Sequence, residues 1–202
     1  MPADVTGSPM PGRPRSEPAR RAVLHAVDDL LVEVGYAAMT MKGIAARAGV
    51  GRQTVYRWWS NKAEILLEAS IADARSELAS PPSEDPAHDL LGYLSALTTF
   101  LTVSPAGLAY RALLGEAQHD QAVRDLVRDA DLIYRSTASV LDRIRPAAPA
   151  MPPQRLAVAQ LTGPVIYVIL ESGEPLPPDD LARHVTSMLA TWQGSFESPS
   201  LR

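Results

Sequence analysis

The sequence predicts an all-α protein with about nine helices, divided into a short N-terminal head and a longer C-terminal body. Apolar residues recur at helical spacing through most of the 202 residues, and no run alternates as a half-buried strand would. Eighteen prolines, mostly in four clusters, divide the chain into helical blocks. There is no cysteine, which excludes disulfides, a thiol nucleophile and cysteine-ligated zinc.

Three helices are expected in the head. Residues 18–34 form an amphipathic helix, which Gly35 can end in a left-handed conformation. Two short helices follow over residues 41–48 and 52–58, joined by Gly49-Val50-Gly51. Two short helices with a tight glycine turn are typical of a helix-turn-helix, whose second helix can lie in the major groove of DNA.

The remaining helices are expected in the body, each starting or ending at a proline or a capping residue. Asn61 and Glu64 form a capping-box-like start for a helix to about residue 79. Further helices are predicted over residues 85–103, 105–117, 121–144, 153–172 and 178–194. The predicted domains are a flexible basic arm at 1–16, the head at 17–62, the body at 63–196 and a flexible tail at 197–202.

Charge is divided unevenly between the two parts of the chain. The net charge is −4, but residues 11–62 carry nine basic and four acidic side chains, whereas residues 63–202 carry ten basic and eighteen acidic ones. A basic head on an acidic body favours a polyanionic partner for the head alone. Because no apolar run suits a signal peptide or a membrane span, we expect a cytoplasmic protein without a membrane partner.

Polar and aromatic side chains are concentrated in the second short helix. Val55 and Trp59 lie four residues apart and can share its buried face. Arginine can donate paired hydrogen bonds to guanine, glutamine can pair with adenine, and a threonine methyl can meet that of thymine. The candidate base contacts are Arg52, Gln53, Thr54 and Arg57, and the candidate phosphate contacts are Tyr56 and Lys62. The alternative is an ordinary amphipathic helix with a solvated basic face.

The segment TMKGIAARAGVGRQTVYRWWSNKAEIL, residues 40–66, resembles the DNA-binding segment of tetracycline-repressor (TetR) type regulators. The shared pattern is a threonine, a helix ending Ile-Ala-x-x-Ala-Gly-Val, a helix with Thr-x-Tyr and an aromatic residue, then a lysine and an acidic residue. The likeness extends over about residues 17–66, and residues 161–164 and 173–176 more weakly resemble one branch of the family's C-terminal domains. The resemblance implies phosphate contacts at Thr40, Tyr56 and Lys62, and base or phosphate contacts at Arg52, Gln53, Thr54 and Arg57.

Several positions qualify this resemblance. Gly51 replaces the serine that usually caps the recognition helix, which weakens the cap by roughly a few tenths of a kcal/mol. Gln53 stands where a small residue is common, so the operator of a relative does not transfer to this chain. Trp58 lies where a histidine or another ring is common and is a candidate DNA contact, whereas Trp59 is expected to pack inside.

A basic arm precedes the first helix. Arg13 and Arg15 flank Pro14, and an arginine held extended beside prolines can enter a narrow A·T-rich minor groove. The alternative is a disordered leader whose arginines only aid solubility. The residues are compatible with both.

The resemblance implies a body that dimerises and usually holds a small-molecule pocket. Aromatic and apolar side chains at helical spacing suit either a pocket wall or plain core. The candidate pocket residues are Tyr93, Leu97, Phe100, Tyr110, Leu114, Tyr134 and Tyr167. The last two helices are candidates for a four-helix bundle between two copies, because residues 165–170 are apolar on every face. The candidate interface residues are Val165, Ile166, Ile169, Val185 and Leu189.

Motifs typical of catalysis are missing from the sequence. It has no His-Glu-x-x-His, no Gly-x-Ser-x-Gly and no glycine-rich phosphate loop after a strand. The four histidines lie in separate blocks, so no metal, cofactor or enzymatic activity is predicted. The expected function is that of a homodimeric repressor that binds an inverted repeat in double-stranded DNA and is released by a small apolar or aromatic ligand. The alternative is a ligand-independent regulator whose body only dimerises, and a small-molecule enzyme is third.

Overall fold

The structure, a computed structural model, describes residues 17–194 and is all-α over that range. It contains ten α-helices and one 3-10 helix, with no strand among the described residues. The all-α class and the three-helix head followed by a helical body are confirmed. The predicted arm with Arg13 and Arg15 and the predicted tail at 197–202 lie outside the described residues.

The head consists of α1 (Glu17–Ala38), α2 (Met41–Arg47) and α3 (Arg52–Trp58). Gly35 interrupts α1 with a φ of 73° and a ψ of 167°, so its regular part ends where the sequence predicts. Glycine reaches this backbone conformation without the steric cost of a Cβ. All three helices contribute side chains with no exposed surface to the core, namely Val23, Val27, Ile44 and Val55.

Helix α4 (Lys62–Glu77) connects the head to the body. The Asn61 side chain accepts a hydrogen bond from the Glu64 amide at 3.0 Å, and the Glu64 carboxylate accepts one from the Ser60 amide at 2.7 Å. This reciprocal capping confirms the helix start that the sequence predicts. Helix α4 contacts α1 of the head and also helices of the body, so both parts of the protein share it.

Six helices and one short 3-10 helix form the body. They are α5 (Pro86–Thr102), α6 (Pro105–Glu116), α7 (Gln121–Ala130), α8 (Leu132–Ile144), the 3-10 helix Arg145–Ala147, α9 (Gln154–Ser172) and α10 (Pro178–Trp192). The single helix predicted over residues 121–144 is therefore two helices. Asp131 separates them in a left-handed conformation, with a φ of 50° and a ψ of 37°. Aspartate visits this region more readily than most residues, and the apolar periodicity does not reveal it.

Helices α4, α5 and α6 are held together at two close contacts. A Cβ on Gly107 of α6 would lie 1.7 Å from the carbonyl oxygen of Phe100 in α5, so only glycine fits there. The Ser70 hydroxyl of α4 lies 2.9 Å from the carbonyl oxygen of Ala106. Across the core, the Tyr93 hydroxyl lies 2.7 Å from the Thr137 hydroxyl of α8. The body therefore shares one core with α4.

The last two helices pack against their own chain and not as the predicted interface requires. Four predicted interface residues are at most 7% exposed, namely Val165, Ile169, Val185 and Leu189. Ile166 is half-buried and packs against the same core. The apolar side chains that α9 exposes are instead Leu156, Tyr167 and Leu170. The predicted interface rests on residues 165–170, which are apolar on every face, and such a run does not show which side faces the chain's own core.

Over residues 17–194 no single helix is long and apolar enough to cross a membrane, while α5 and α6 together meet that criterion by length and composition with a bend of 76° between them.

Candidate nucleic-acid interface and ligand cavity

Two glycines set the turn between α2 and α3. Gly49 has a φ of 66°, and the amide of Val50 donates to the carbonyl oxygen of Ala45 at 3.0 Å, which closes the end of α2. Gly51 is the N-cap of α3, with a φ of −66° and a ψ of 139°. It has no side chain to accept from the first amides of α3, so this cap is bare, as the sequence predicts.

Helix α3 divides its side chains between core and solvent. Val55 is fully buried and Trp59 is 3% exposed, which confirms the predicted inner face. The Trp59 indole Nε1 donates to the Glu68 carboxylate of α4 at 3.0 Å and anchors the end of α3. The opposite side presents Arg52, Gln53, Tyr56 and Arg57 as exposed residues, with Thr54 half-buried beside them. This arrangement gives α3 one polar and basic outer face.

Thr40 and Lys62, two further candidate phosphate contacts, already make hydrogen bonds within the protein. The Thr40 hydroxyl oxygen accepts from the Gly43 amide at 3.1 Å, which caps α2 and leaves its proton available to donate. The Lys62 ammonium donates to the carbonyl oxygens of Tyr36 at 2.7 Å and Met39 at 3.1 Å. Lys62 therefore has a structural role that the sequence did not indicate, and its phosphate contact stays a prediction for the remaining N–H.

Trp58 lies half-buried at the end of α3. Its ring meets that of Trp59 edge to face, with centroids 5.3 Å apart and an interplanar angle of 87°. The Arg57 guanidinium carbon lies 5.9 Å from the Trp58 ring centroid. The indole Nε1 of Trp58 is buried and has no hydrogen-bond partner among the described residues. Trp58 can therefore support Arg57 through its ring, and its own DNA contact stays a prediction.

The positive charge of the head is not equally available at every arginine. The Arg47 guanidinium donates to Glu33 of α1 at 2.8 Å through one nitrogen, makes a second bond to it, and lies 3.6 Å from Asp29. This hydrogen bonding from Arg47 lowers the pKa of the Glu33 carboxyl. Arg52 and Arg57, in contrast, make no ion pair within residues 17–194. Unpaired positive charge is thus placed on the outer face of α3.

Two family models match the chain over most of its length. Residues 23–69 match bacterial regulatory proteins of the tetR family, and residues 80–188 match the tetracyclin repressor-like C-terminal domain. The second match alone spans more than half of the chain. The chain belongs to the TetR family. As a TetR protein it is a DNA-binding transcriptional regulator and not an enzyme.

Relatives of this TetR protein carry the same assignment. The chain is 37% identical over 117 residues to the uncharacterized HTH-type transcriptional regulator YdeS of Bacillus subtilis (strain 168), a match that covers 58% of this chain and 59% of YdeS. The chain thus spans less than two thirds of the length of this curated relative. The crystal structure of the TetR family transcription regulator SCO0332 superposes with a TM-score of 0.71 at 31% identity, covering 87% of this chain and 98% of the other.

A further solved structure shows the same fold. The multidrug binding protein EbrR, complexed with imidazole, superposes with a TM-score of 0.63 at 21% identity over 96% of this TetR chain and 97% of EbrR. At that identity the likeness concerns the fold alone.

The body of this TetR protein contains a cavity of about 520 Å³. It lies between the second half of α4, the end of α7 and the outer side of α8. Its lining combines apolar side chains with arginines and serines, including Ile71, Arg75, Leu78, Arg135, Ser139 and Arg143. None of the seven predicted pocket residues lines this cavity.

The predicted pocket residues are distributed over the core and the surface instead. Four of them are buried, namely Tyr93, Leu97, Phe100 and Tyr110. The Tyr134 ring is covered by the Arg155 guanidinium, whose carbon lies 4.6 Å from the ring centroid. Leu114 is half-buried, and Tyr167 is 63% exposed on α9. The prediction selects aromatic and apolar residues, whereas the cavity lining includes arginines and serines of α4 and α8 that no sequence pattern groups together.

Proposed function

We propose that the protein is a homodimeric repressor whose two α3 helices bind the half-sites of an inverted-repeat operator. The observation that carries the proposal is the division of α3 into a buried side with Val55 and Trp59 and an exposed basic side. A helix of this kind, following a tight turn, can enter the major groove and present its outer side chains to base edges.

Each outer side chain is assigned a role by its chemistry. Arg52 and Arg57 are proposed to donate paired hydrogen bonds to guanine, and Gln53 to pair with adenine. Thr54 is proposed to meet a thymine methyl, and the Tyr56 hydroxyl to donate to a phosphate. Thr40 and Lys62 are proposed to contact phosphates, and Arg13 and Arg15 to enter the minor groove. Trp58 is proposed to support the Arg57 side chain in the major groove.

Dimerisation is proposed through the outer face of α9. Helical spacing places Leu156, Ala159, Gly163, Tyr167 and Leu170 along one side of that helix. The three large side chains of this set are 49–63% exposed in the single chain. A two-fold pairing of this face buries apolar surface that a monomer leaves in water. It also supplies the symmetry that an inverted repeat requires.

Release by a small molecule is proposed to act through α4. The first residue of α4, Lys62, holds Tyr36 of the head, and Leu78 just after its last turn lines the cavity. Burial raises the pKa of Tyr36 to about 12, and the nearby negative charges of Glu116 and Asp120 raise it further. A ligand that prefers a displaced α4 misplaces the two α3 helices, with a typical coupling of about 1–3 kcal/mol. EbrR, which shares this fold, is a multidrug binding protein complexed with imidazole, so the fold is compatible with a small-molecule effector.

Selection from random DNA duplexes tests the operator proposal. It should enrich an inverted repeat whose half-site centres lie about 34–36 Å apart or somewhat more. Arg52→Ala and Arg57→Ala should each cost about 1–3 kcal/mol on the enriched duplex and relax base preference. Arg128→Ala removes an exposed arginine from α7 and is the matched control, which should bind as the parent does. No enriched motif, or equal binding by all three variants, would remove the role of α3.

The second candidate is a ligand-independent regulator whose body only dimerises. The burial of Tyr93, Leu97 and Phe100 favours it, because the centre of the body is filled by side chains. Linkage separates the two candidates: if a ligand releases the operator, saturating operator must weaken ligand binding by the same factor. Calorimetry that gives equal ligand affinity with and without operator would favour the ligand-independent regulator.

A further inference from the structure

We infer that the cavity between α4 and α8 binds a small amphipathic organic anion, with its carboxylate or equivalent acidic group held between Arg75 and Arg135. This inference rests on the proposed function only for the consequence of binding, which is release from DNA. It replaces the purely apolar or aromatic ligand that the sequence suggests.

The apolar part of the cavity comes from two helices. Helix α4 contributes Ile71 and Ala74, and α8 contributes Leu132 and Val140. Together with Leu78 these side chains form a surface on which an apolar ligand body can be removed from water. The volume of about 520 Å³ lies within the range of known small-molecule sites, so an organic molecule fits and a bare ion does not fill it.

The polar part of the cavity carries a positive charge that the protein leaves uncompensated. Arg75 and Arg135 line it, and within residues 17–194 neither guanidinium makes an ion pair or a hydrogen bond. The hydroxyl of Ser139, also in the lining, has no hydrogen-bond partner in the same part of the chain. Two guanidiniums and a hydroxyl form a set of donors that matches the oxygens of a carboxylate.

The other two charged residues of the lining are already paired. Arg143 lies with its Nε 3.4 Å from the buried carboxylate of Asp89 and donates to the carbonyl oxygen of Ser80 at 3.3 Å. Asp129 accepts from the exposed Arg128 at 3.2 Å. Counting three arginines against one aspartate gives the lining a formal charge of +2, within a body whose residues 63–202 sum to −8. The cavity therefore favours an anion in an otherwise acidic part of the protein.

The exposure of the two arginines limits how much of the binding free energy comes from charge and how much from the apolar surface. Arg75 and Arg135 are both exposed residues, so solvent screens their attraction for an anion. The apolar surface must therefore supply much of the affinity, and the arginines select the charge of the ligand. A neutral or cationic molecule of the same shape should bind more weakly, and an anion without an apolar body should bind hardly at all.

Calorimetry on the full chain without DNA tests this inference with matched probes. The probes are decanoate, 1-decanol and decyltrimethylammonium, and a second set with a naphthalene body, namely 2-naphthoate, 2-naphthalenemethanol and 2-naphthylmethylammonium. In the set that binds more tightly, the carboxylate should bind about tenfold better than the alcohol, a typical gain for a screened charge-assisted hydrogen bond. Raising the salt concentration should reduce that advantage.

Variants then locate the site. Arg75→Gln combined with Arg135→Gln should lower carboxylate affinity to that of the alcohol, while Arg183→Gln, which removes a 76% exposed arginine from α10, should leave it unchanged. Arg143 is kept, because its loss would leave the buried Asp89 without its cation. Equal affinity for acid, alcohol and ammonium, no carboxylate binding in either set, or an unaffected double variant would overturn the inference. Because these titrations contain no DNA, they stand or fall separately from operator release.

Discussion

Lys62, the first residue of α4, donates from its Nζ to the carbonyl oxygen of Tyr36 at 2.7 Å, while the same nitrogen lies 4.1 Å from the centroid of the Tyr36 ring. A second bond reaches the carbonyl oxygen of Met39 at 3.1 Å. Tyr36 lies after the Gly35 kink near the end of α1, and Met39 lies in the connection from α1 to α2. One side chain therefore ties the helix that lines the cavity to the chain that leads into the helix-turn-helix.

Lys62→Met should lower the free energy of unfolding by about 2–3 kcal/mol, because two carbonyl groups lose a charged donor and the ring loses its cation. Urea denaturation measures this. Lys42→Met is the control, since Lys42 is an exposed lysine of α2 and its replacement should change stability by less than about 0.5 kcal/mol. Equal loss in both variants would contradict the structural role. A lower salt slope of DNA binding in Lys62→Met would show a phosphate contact as well.

The bare N-cap of α3 can be filled. Gly51 has an extended backbone that any residue adopts, and a Cβ there would lie 3.8 Å from the Thr54 hydroxyl oxygen, an ordinary contact. Gly51→Ser and Gly51→Ala restrict the unfolded chain alike, but only serine offers an oxygen to the first amides of α3. The serine variant should therefore exceed the alanine variant in unfolding free energy by about 1 kcal/mol. Urea midpoints that coincide for the two variants would contradict this cap.

Gly107 and Gly115 lie in the same helix and should respond oppositely to alanine. A Cβ on Gly107 would meet backbone atoms of Phe100 at 1.7 and 2.4 Å, so α5 and α6 must move apart. Gly107→Ala should lower stability by about 3 kcal/mol or more. A Cβ on Gly115 meets nothing within 4 Å, and Gly115→Ala should raise stability by up to about 1 kcal/mol. Thermal unfolding of both variants checks the pair, and a folded, unshifted Gly107→Ala would contradict the contact.

Asp28 of α1 gives the protein a pH-dependent stability. Burial raises its pKa from 3.8 to about 6, the charge of Asp73 adds to this, and His25 opposes it. One of its carboxylate oxygens is buried and has no hydrogen-bond partner among the described residues. Since the folded state holds this proton more tightly, the contribution of Asp28 to stability is present below about pH 4 and is lost as the pH rises towards 6.

Asp28→Asn should therefore raise the unfolding free energy at pH 7.5 relative to the parent, by about 1 kcal/mol once partial solvation is allowed for, and by little at pH 4. The difference between variant and parent across urea titrations from pH 4 to 7.5 isolates this carboxyl group. Asp73→Asn should recover part of the gain, since its charge is the second cause of the shift. An unchanged difference across the pH range would exclude the effect.

Features that depend on neighbouring residues could be predicted from the sequence. The cap at Asn61, the turn at Gly49 and the buried side of α3 at Val55 all follow from residues within about one helical turn, and the structure confirms them. The engagement of Lys62 was missed because its partners lie 23 and 26 residues earlier in the chain. Local patterns do not report such contacts.

The cavity and the outer face of α9 could not be predicted for a different reason. Arg75 and Arg135 line one cavity although they lie 60 residues apart, and the left-handed Asp131 that separates α7 from α8 is hidden in an apolar period that predicts one continuous helix. In α9, Val165 and Tyr167 belong to one apolar run, and only packing shows that the first is buried and the second 63% exposed. The apolar composition of a helix can be read from the sequence, while the side that it presents to its own core depends on tertiary structure.

Dimerisation can be tested separately from folding if the substituted residue of α9 is exposed in the single chain. Ile169→Glu would place a charge in the core of the single chain, where Ile169 is fully buried, and would unfold it before any interface was tested. Tyr167→Glu changes an exposed side chain instead. It should leave the helical content near that of the parent, and split the dimer by placing two like charges across the two-fold axis.

Light scattering measures the oligomeric state of Tyr167→Glu, and a binding assay measures its operator affinity. The variant should be monomeric at concentrations where the parent is dimeric, and it should lose most of its operator affinity, because two α3 helices no longer bind as one rigid unit. Val103→Glu is the control, since Val103 is an apolar residue that is 70% exposed at the C-cap of α5 and does not belong to the proposed α9 face. A parent that is monomeric, or a Tyr167→Glu protein that stays dimeric and binds DNA as Val103→Glu does, would show that α9 does not pair the two copies.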